Sequence, residues 1–279
     1  MRRVVPAILA LLVAVAAVSC GETSSEMILA TTTSLQDSGL LDTLVPAFER
    51  QSGYRVKVIA VGSGAAIAMA QRGDADAVFV HDPQAEAEAV AAGDLVEGAL
   101  VMMNDFLIVG PAADPAGVRT AADAPDAFRR IAAARAPFIS RGDRSGTHTK
   151  ELQLWAAAGV DPASLGSRLE SGLGMGATLT IASERGAYTL TDRATFTVLA
   201  RTLSLAVLFQ DAPELVNPYH AYVVNPDRHR AVNADAARAF VRFLAAPDTQ
   251  RAIAEYGRAR YGAALFVPAD PQAREGFQR

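Results

Sequence analysis

The chain is short of cysteine and of basic charge, and each shortage excludes a class of protein. Its 279 residues include one cysteine, Cys20, which excludes a disulfide scaffold and any site built from two thiolates. The formal net charge is −4, whereas a nucleic-acid-binding protein needs a basic surface. The four histidines show no H-x-x-x-H spacing, which argues against a histidine-rich metal site; they are His81, His148, His220 and His229.

Apolar material, by contrast, is abundant. Hydrophobic residues make up 51% of the chain and charged residues 20%, which excludes disorder and allows a sizeable core. The length fits two domains or one large one. The phosphate-binding motif G-x-x-x-x-G-K-[ST] does not occur, so the chain is not an ATPase, and we expect no cofactor.

Residues 1–20 predict export. Two arginines precede an apolar run, Val4–Val18, which is shorter than the roughly 20 residues of a membrane-spanning helix and fits a secretory signal. The run ends in Ala17-Val18-Ser19-Cys20, which resembles a bacterial lipobox, although such boxes more often carry leucine at the position of Ala17. We expect Cys20 to be lipidated and to hold the protein on the periplasmic or extracellular side of a membrane. The alternative is an ordinary cleaved signal peptide with an incidental cysteine.

Short β-type runs alternate with helical patterns along the mature chain, and this order predicts an α/β fold with a parallel sheet. Two Asn-Pro pairs, Asn217-Pro218 and Asn225-Pro226, are predicted to form turns around a strand. They suggest that the chain crosses between two lobes here. We predict one lobe from 27–108 plus 219–279 and a second from 109–218, with irregular chain after the last predicted helix at Tyr256.

Three polar loops are predicted between a strand and a helix, where free backbone N–H groups favour an anion. The first carries four consecutive hydroxyls, Thr31–Ser34; the second, 61–66, has Ser63 between two glycines. The third, 140–148, offers a guanidinium at Arg141 and donors at Ser145, Gly146 and Thr147. Each loop also has a purely structural interpretation. The first would be a helix cap at Asp37 or Ser38, the second a tight turn, and the third a charged turn in which Asp143 pairs with Arg144.

A fourth glycine-rich stretch, 172–178, matches the dinucleotide pattern G-x-G-x-x-A. We predict that 167–171 is not a strand, so that no βαβ unit frames the pattern and a nucleotide site is excluded. Instead the stretch is interpreted as a helix start facing the same cleft, with Gly174, Met175 and Gly176 near the ligand.

The four loops together offer many neutral donors, one or two positive charges and few acceptors. In open α/β sheets ligands bind beyond the carboxyl ends of the strands, so two facing lobes would enclose one small anion. A fully deprotonated dianion suits such a site better than hydrogen phosphate, which needs an acceptor. Asp143 is the residue that would weaken this argument.

Several long runs are similar to the TupA-type tungstate-binding proteins, the extracytoplasmic components of tungstate ABC transporters. They span about residues 28–268 and are ATTTSLQDSGLLDTLVPAFE (30–49), VGSGAA (61–66), GDADAVFVHDP (73–83), MNDFLIVGP (103–111), FISRGDRSGTHTKELQLW (138–155), GMGATLTIASERGAYTLTDR (174–193) and NPYHAYVVNP (217–226). The resemblance implies a two-lobed, type II periplasmic-binding-protein fold that closes on an oxyanion and delivers it to a permease. It also implies anion contacts at Thr32, Thr33, Ser63, Arg141, Ser145 and Thr147, with Ser34 in the same loop.

Two positions depart from the family pattern. Ser63 stands where threonine is frequent, and 167–170 replaces an aromatic pair, which affects cleft shape and the selectivity between tungstate and molybdate. Molybdate, sulfate and phosphate therefore remain alternative ligands. A hydrolase that uses Ser145 with His148 is the alternative from another class, although no G-x-S-x-G elbow frames Ser145. We expect a monomer.

Overall fold

The computed structural model describes residues 25–272, and the predicted signal segment with Cys20 lies outside them. The strands are β1 (Glu26–Thr32), β2 (Arg55–Val61), β3 (Ala77–Val80), β4 (Leu95–Gly110), β5 (Phe138–Ser140), β6 (Arg168–Glu170), β7 (Thr189–Asp192), β8 (Ala206–Phe209), β9 (Val216–Val224) and β10 (Val267–Pro268). The helices are α1 (Thr33–Ser38), α2 (Leu40–Ser52), α3 (Ser63–Arg72), α4 (Pro83–Ala91), α5 (Ala124–Ala133), α6 (Gly146–Ala157), α7 (Met175–Arg185), α8 (Arg193–Leu199), α9 (Ala234–Ala245), α10 (Pro247–Glu255) and α11 (Arg258–Tyr261).

Two lobes share the long strand β4. In lobe 1 the strand order is β10-β4-β9-β3-β1-β2, and helices α1–α4 and α9–α11 accompany this sheet. In lobe 2 the far half of β4 pairs with β7 and β8, while β5 pairs with β6 and bridges to Tyr188. Strand β9 returns alongside β4, with Asn104 opposite Asn217. The chain therefore passes from one lobe to the other along two paired strands, and the predicted boundaries at 108 and 218 fall inside them.

The prediction of a parallel sheet is wrong for part of the molecule. Strands β1, β2 and β3 are parallel, but β9 is antiparallel to both β3 and β4. The predicted turn at Asn217-Pro218 is also wrong, because both residues lie in β9. Pro218 is tolerated there because only β4 pairs with that end of β9, so the missing N–H interrupts no second ladder.

Each lobe buries its own apolar core. The largest cluster lies in lobe 1 and includes Leu44, Phe48, Phe79 and Phe240, with Phe48 meeting Phe240 edge to face at 5.1 Å. The lobe 2 cluster is built around Trp155, whose ring lies 4.5 Å from that of Phe128. These separate cores support each lobe as a firm body on either side of the shared strands.

Candidate functional site

Four helices begin at the boundary between the lobes. Helices α1 and α3 follow strands of lobe 1, and helices α6 and α7 belong to lobe 2. Thr32 caps α1 by accepting from the Leu35 N–H at 3.3 Å, and Ser145 caps α6 by accepting from the His148 N–H at 3.3 Å. The capping residues of α3 and α7 are Gly62 and Gly174, which have no side chain to accept from the N–H groups at the helix starts. The first N–H groups of these helices have no partner within their helix, so together they form a positive lining.

The backbones of the two lobes touch at this boundary. A Cβ atom on Gly146 would lie 2.3 Å from the carbonyl oxygen of His81 in lobe 1. A Cβ atom on Gly64 would lie 2.7 Å from the carbonyl oxygen of Arg144 in lobe 2. Both contacts are closer than any side chain allows, so glycine is required where the lobes meet.

Arg141 is the buried cation of this region. It follows β5, is 2% exposed, and its Nη2 donates to Thr33 Oγ1 across the lobe boundary at 3.3 Å. Its guanidinium also forms an ion pair with Asp143, and Nε lies 3.2 Å from the same carboxylate oxygen. Asp143 therefore pairs with Arg141 and not with Arg144, as the charged-turn interpretation had it. Burial alone raises the pKa of Asp143, but Arg141 and Ser145 outweigh it, so that pKa is lowered.

Five hydroxyl side chains predicted for the site are buried here: the caps Thr32 and Ser145, and Ser34, Ser63 and Thr147. Ser63 Oγ accepts from the His81 N–H at 3.4 Å. Ser34 Oγ and Thr147 Oγ1 have no well-aligned hydrogen bond among residues 25–272. A buried hydroxyl without a hydrogen bond destabilises the folded protein, so we interpret these two groups as donors to a bound ligand.

The glycine-rich stretch leads into α7, as the predicted helix start requires, and it contacts lobe 1. Gly174 packs against the Thr33 side chain across the boundary, at 3.3 Å from its would-be Cβ. The Gly176 N–H, however, already donates to Asp37 Oδ2 of lobe 1 at 3.1 Å. The Met175 side chain is fully buried in an apolar cluster with Leu107, so it faces the core and not an anion. Burial raises the pKa of Asp37, although Gly176 and Arg141 oppose the rise.

The prediction that 167–171 contains no strand is wrong, because β6 lies there and pairs in parallel with β5. This strand has three residues, and its Arg168 side chain turns to the buried Glu151, with Nε 2.9 Å from Oε1. Ser140 Oγ donates to Glu151 Oε2 at 2.6 Å, and Trp155 Nε1 donates to Oε1 at 3.1 Å. Residues 167–170, which stand where the family has an aromatic pair, thus supply Arg168. Its ion pair with Glu151 contacts Ser140, the residue before Arg141.

Another acidic residue, missed from sequence, lies at the base of the site. Asp192 ends β7, is fully buried, and caps α8 by accepting from the Thr195 N–H at 2.9 Å. Burial raises its pKa, while Thr195, Ser34 and the charge of Arg141 oppose the rise. The available signal was an Asp between a strand run and a helical run, which is a cap pattern, but nothing local placed it beside Ser34.

Comparison with known proteins gives the chain its family. A family model described as a PBP superfamily domain matches residues 17–248. The tungstate-binding protein TupA of Peptoclostridium acidaminophilum is 43% identical over 249 residues, which are 88% of this chain and 87% of that protein. The chain belongs to the TupA-type tungstate-binding proteins, within the periplasmic-binding-protein superfamily.

Solved structures of relatives in the TupA-type family have the same fold. The structure described as the tungstate ABC transporter from Geobacter sulfurreducens is 46% identical, covers 83% of this chain and 98% of its own, and has a TM-score of 0.75. The tungstate-binding protein TupA from Desulfovibrio alaskensis G20 is 40% identical, covers 87% and 98%, and has a TM-score of 0.71. The expectation of a two-lobed binding-protein fold is confirmed.

The TupA-type family consists of transport components, which confirms the expectation that the chain is not an enzyme. The geometry agrees, since His148 Nδ1 accepts from the Arg144 N–H at 3.1 Å and the ring makes no hydrogen bond to Ser145 Oγ. Within residues 25–272, no cluster of three His, Cys, Asp or Glu residues has the geometry of a metal-ion site. None of the helices in that range has the length and apolarity to cross a membrane.

Proposed function

We propose that this chain captures tungstate between its lobes and delivers it to the permease of an ABC transporter. The names of its relatives support this ligand and this transport role. The observation that carries the proposal is the cross-lobe contact of buried Arg141 with Thr33, set among four helix N-termini. A tetrahedral dianion placed there would bind both lobes at once and hold them closed.

The proposed contacts come from both lobes. Lobe 1 supplies hydroxyl and N–H donors from Thr32, Thr33, Ser34 and Ser63; lobe 2 supplies Arg141, Ser145, Gly146, Thr147 and the start of α7 at Gly174, Met175 and Gly176. At Met175 only the backbone is proposed to take part, because the side chain is buried in the core. The Gly176 N–H would reach the anion by exchanging its hydrogen bond to Asp37 for one to the ligand.

Molybdate is the second candidate ligand, and sulfate and phosphate follow. Tungstate and molybdate are tetrahedral dianions of nearly equal size, and the unpaired hydroxyls of Ser34 and Thr147 would donate to either. Hydrogen phosphate needs an acceptor, and the carboxylate in the Arg141 loop, Asp143, is already paired with Arg141.

Calorimetric titration of the purified protein tests the ligand directly. We expect one-to-one binding of tungstate and no heat with sulfate or phosphate. The same titration measures the affinity for molybdate. Arg141→Ala should lower the affinity by about 1.5–3 kcal/mol, because a charge-assisted hydrogen bond is lost. Arg144→Ala, in the same loop, is the matched control and should bind as the wild type does. Binding of phosphate alone would overturn the ligand, and unchanged affinity of Arg141→Ala would remove that residue from the site.

We also propose that the protein is exported as a monomer and is anchored through a lipid on Cys20. The lipobox-like run 17–20 supports the anchor, and the periplasmic binding proteins among its relatives support export. Cys20→Ala should move the protein from the membrane fraction to the soluble fraction after export. Continued membrane association of this variant would contradict the lipid anchor.

A further inference from the structure

A second polar cluster lies beside the anion site, at the junction of β7 and α8. Its members are Asp192 and Thr195 of lobe 2 and Ser34 of lobe 1, all buried. Asp192 Oδ1 accepts from the Thr195 N–H at 2.9 Å. The side chains of Ser34 and Thr195 lie close enough to the Asp192 carboxyl to oppose the rise in its pKa, and Asp192 Oδ2, Ser34 Oγ and Thr195 Oγ1 are all buried without a well-aligned hydrogen bond among residues 25–272. Three buried polar atoms that lack a full set of hydrogen bonds indicate that ligand binding or a change of protonation supplies the missing bonds.

The charges around Asp192 come from several elements. Arg141, after β5, exerts an attractive field on the carboxylate, and the buried phenol of Tyr219, on β9, feels the carboxylate in turn. Three further titratable groups lie within the field of Arg141: Asp37 at the end of α1, Asp143 in the Arg141 loop and His81 after β3. The one guanidinium of Arg141 thus attracts three carboxylates, those of Asp37, Asp143 and Asp192.

The hydroxyl of Ser34 has one proton to donate. An ionised Asp192 and a bound dianion are both acceptors, and they lie on two sides of this hydroxyl in the proposed site. If Asp192 were protonated, its O–H would donate to Ser34 Oγ, and the Ser34 proton would then be free for the anion. That arrangement satisfies Asp192 Oδ2 and Ser34 Oγ together and keeps two negative charges from meeting in a buried site.

We infer that Asp192 is a positioning residue of the anion site, which takes up one proton from solvent as the dianion binds and thereby fixes Ser34 as a donor to it. The inference rests on the proposed function. The burial that raises the pKa of Asp192 favours this uptake, and the nearby dianion favours it further. Because binding takes up a proton, affinity rises as pH falls.

The first test uses the wild-type protein and tungstate in two buffers of different ionisation enthalpy. The difference between the two binding enthalpies gives the protons taken up per anion. We expect a net uptake in part of the range from about pH 5 to about pH 9, and in that part affinity falls by up to about tenfold per unit rise in pH. Tungstate that binds with no proton uptake across this range overturns the inference and leaves the proposed function intact. No binding of any oxyanion overturns both.

The second test assigns the proton. Asp192→Asn keeps a cap for α8, since asparagine is as good a cap as aspartate, and its amide N–H₂ imitates the protonated acid. We expect this variant to bind tungstate, with no proton uptake and a flat pH profile. Asp37→Asn is the matched control, because it removes the other carboxylate whose pKa burial raises. It should keep the uptake. Loss of uptake in Asp37→Asn and its persistence in Asp192→Asn would overturn the assignment.

Discussion

The two lobes contribute chemically different halves to the proposed site. Lobe 1 offers neutral donors, the hydroxyls of Thr33, Ser34 and Ser63 at the starts of two short helices. Lobe 2 offers the buried guanidinium of Arg141 together with the carboxylate that pairs with it. A neutral donor can be buried with little supporting structure, whereas a buried cation needs a partner and a firm frame.

The support behind each half reflects this difference. In lobe 1, Thr31 Oγ1 donates to the Phe79 carbonyl at 2.8 Å, one residue before the proposed contacts begin. In lobe 2, the buried ion pair of Glu151 with Arg168 and its bonds to Ser140 and Trp155 hold the strand that leads into Arg141. The charged half therefore depends on a polar network, and the neutral half depends on the sheet.

The largest expected effect is on the lobe 2 network. Glu151→Ala leaves Arg168 buried without its inner partner, so we expect the free energy of unfolding to fall by about 3–5 kcal/mol. Glu170, the outer partner of the same arginine, is 55% exposed, so Glu170→Ala should cost less than about 1 kcal/mol of stability. Urea unfolding of both variants measures the difference. Equal losses would mean that the buried pair gives lobe 2 no special support.

The next effect concerns the place where the two halves meet. His81 faces the first residue of α6, and burial lowers its pKa to about 4, with Arg141 adding to this and a hydrogen bond to Asn217 opposing it. The unfolded chain binds this proton more readily, so stability is lost as pH falls from about 6.5 to about 4, by roughly 3 kcal/mol in total. Urea unfolding across this pH range should show the loss, and His81→Gln should reduce it. An identical acid sensitivity of the variant would contradict the assignment to His81.

The smallest effect separates binding from stability within one residue type. Thr147→Val removes a buried hydroxyl that has no partner in the described chain, so we expect equal or higher stability and about 1 kcal/mol weaker tungstate binding. Thr31→Val removes a satisfied hydroxyl and should cost about 1 kcal/mol of stability with little change in binding. Calorimetry and urea unfolding of the pair decide. The reverse pattern would place the anion away from α6.

Periodicity and turn chemistry predicted most elements of the fold. The apolar runs at 55–61 and 77–80 predict strands, and β2 and β3 have these bounds. The apolar face that starts at Leu40 predicts a helix from that residue, and α2 begins there. Helix α1 is not predicted from the sequence, because it begins with threonine and serine, which are typical of caps and turns. Its cap is Thr32, the residue immediately before the helix. The irregular end predicted after Tyr256 is also wrong, since α11 and β10 lie there.

The sequence indicates residue types for the proposed site, but it does not indicate how these residues pair with one another. Hydroxyls and glycines at strand-to-helix junctions are a local signal, and it led to Thr33, Ser63 and Arg141. The engagement of Gly176 by Asp37 and the position of Asp192 beside Ser34 join residues that are more than 130 positions apart. Such contacts depend on how the lobes close, and no spacing in the sequence encodes them.

The pairing of β4 with β9 also has a consequence for the order of folding. Asp105 lies opposite Val216, so all of lobe 2 is a loop whose two ends are adjacent strands of one ladder. Closing a loop of about one hundred residues has an entropic cost of roughly 4 kcal/mol, which falls once that loop is itself compact. Lobe 1 needs β9 to connect β3 to β4. The inserted lobe is therefore expected to collapse first, and the lobe that contains the beginning and end of the described chain to complete its sheet last.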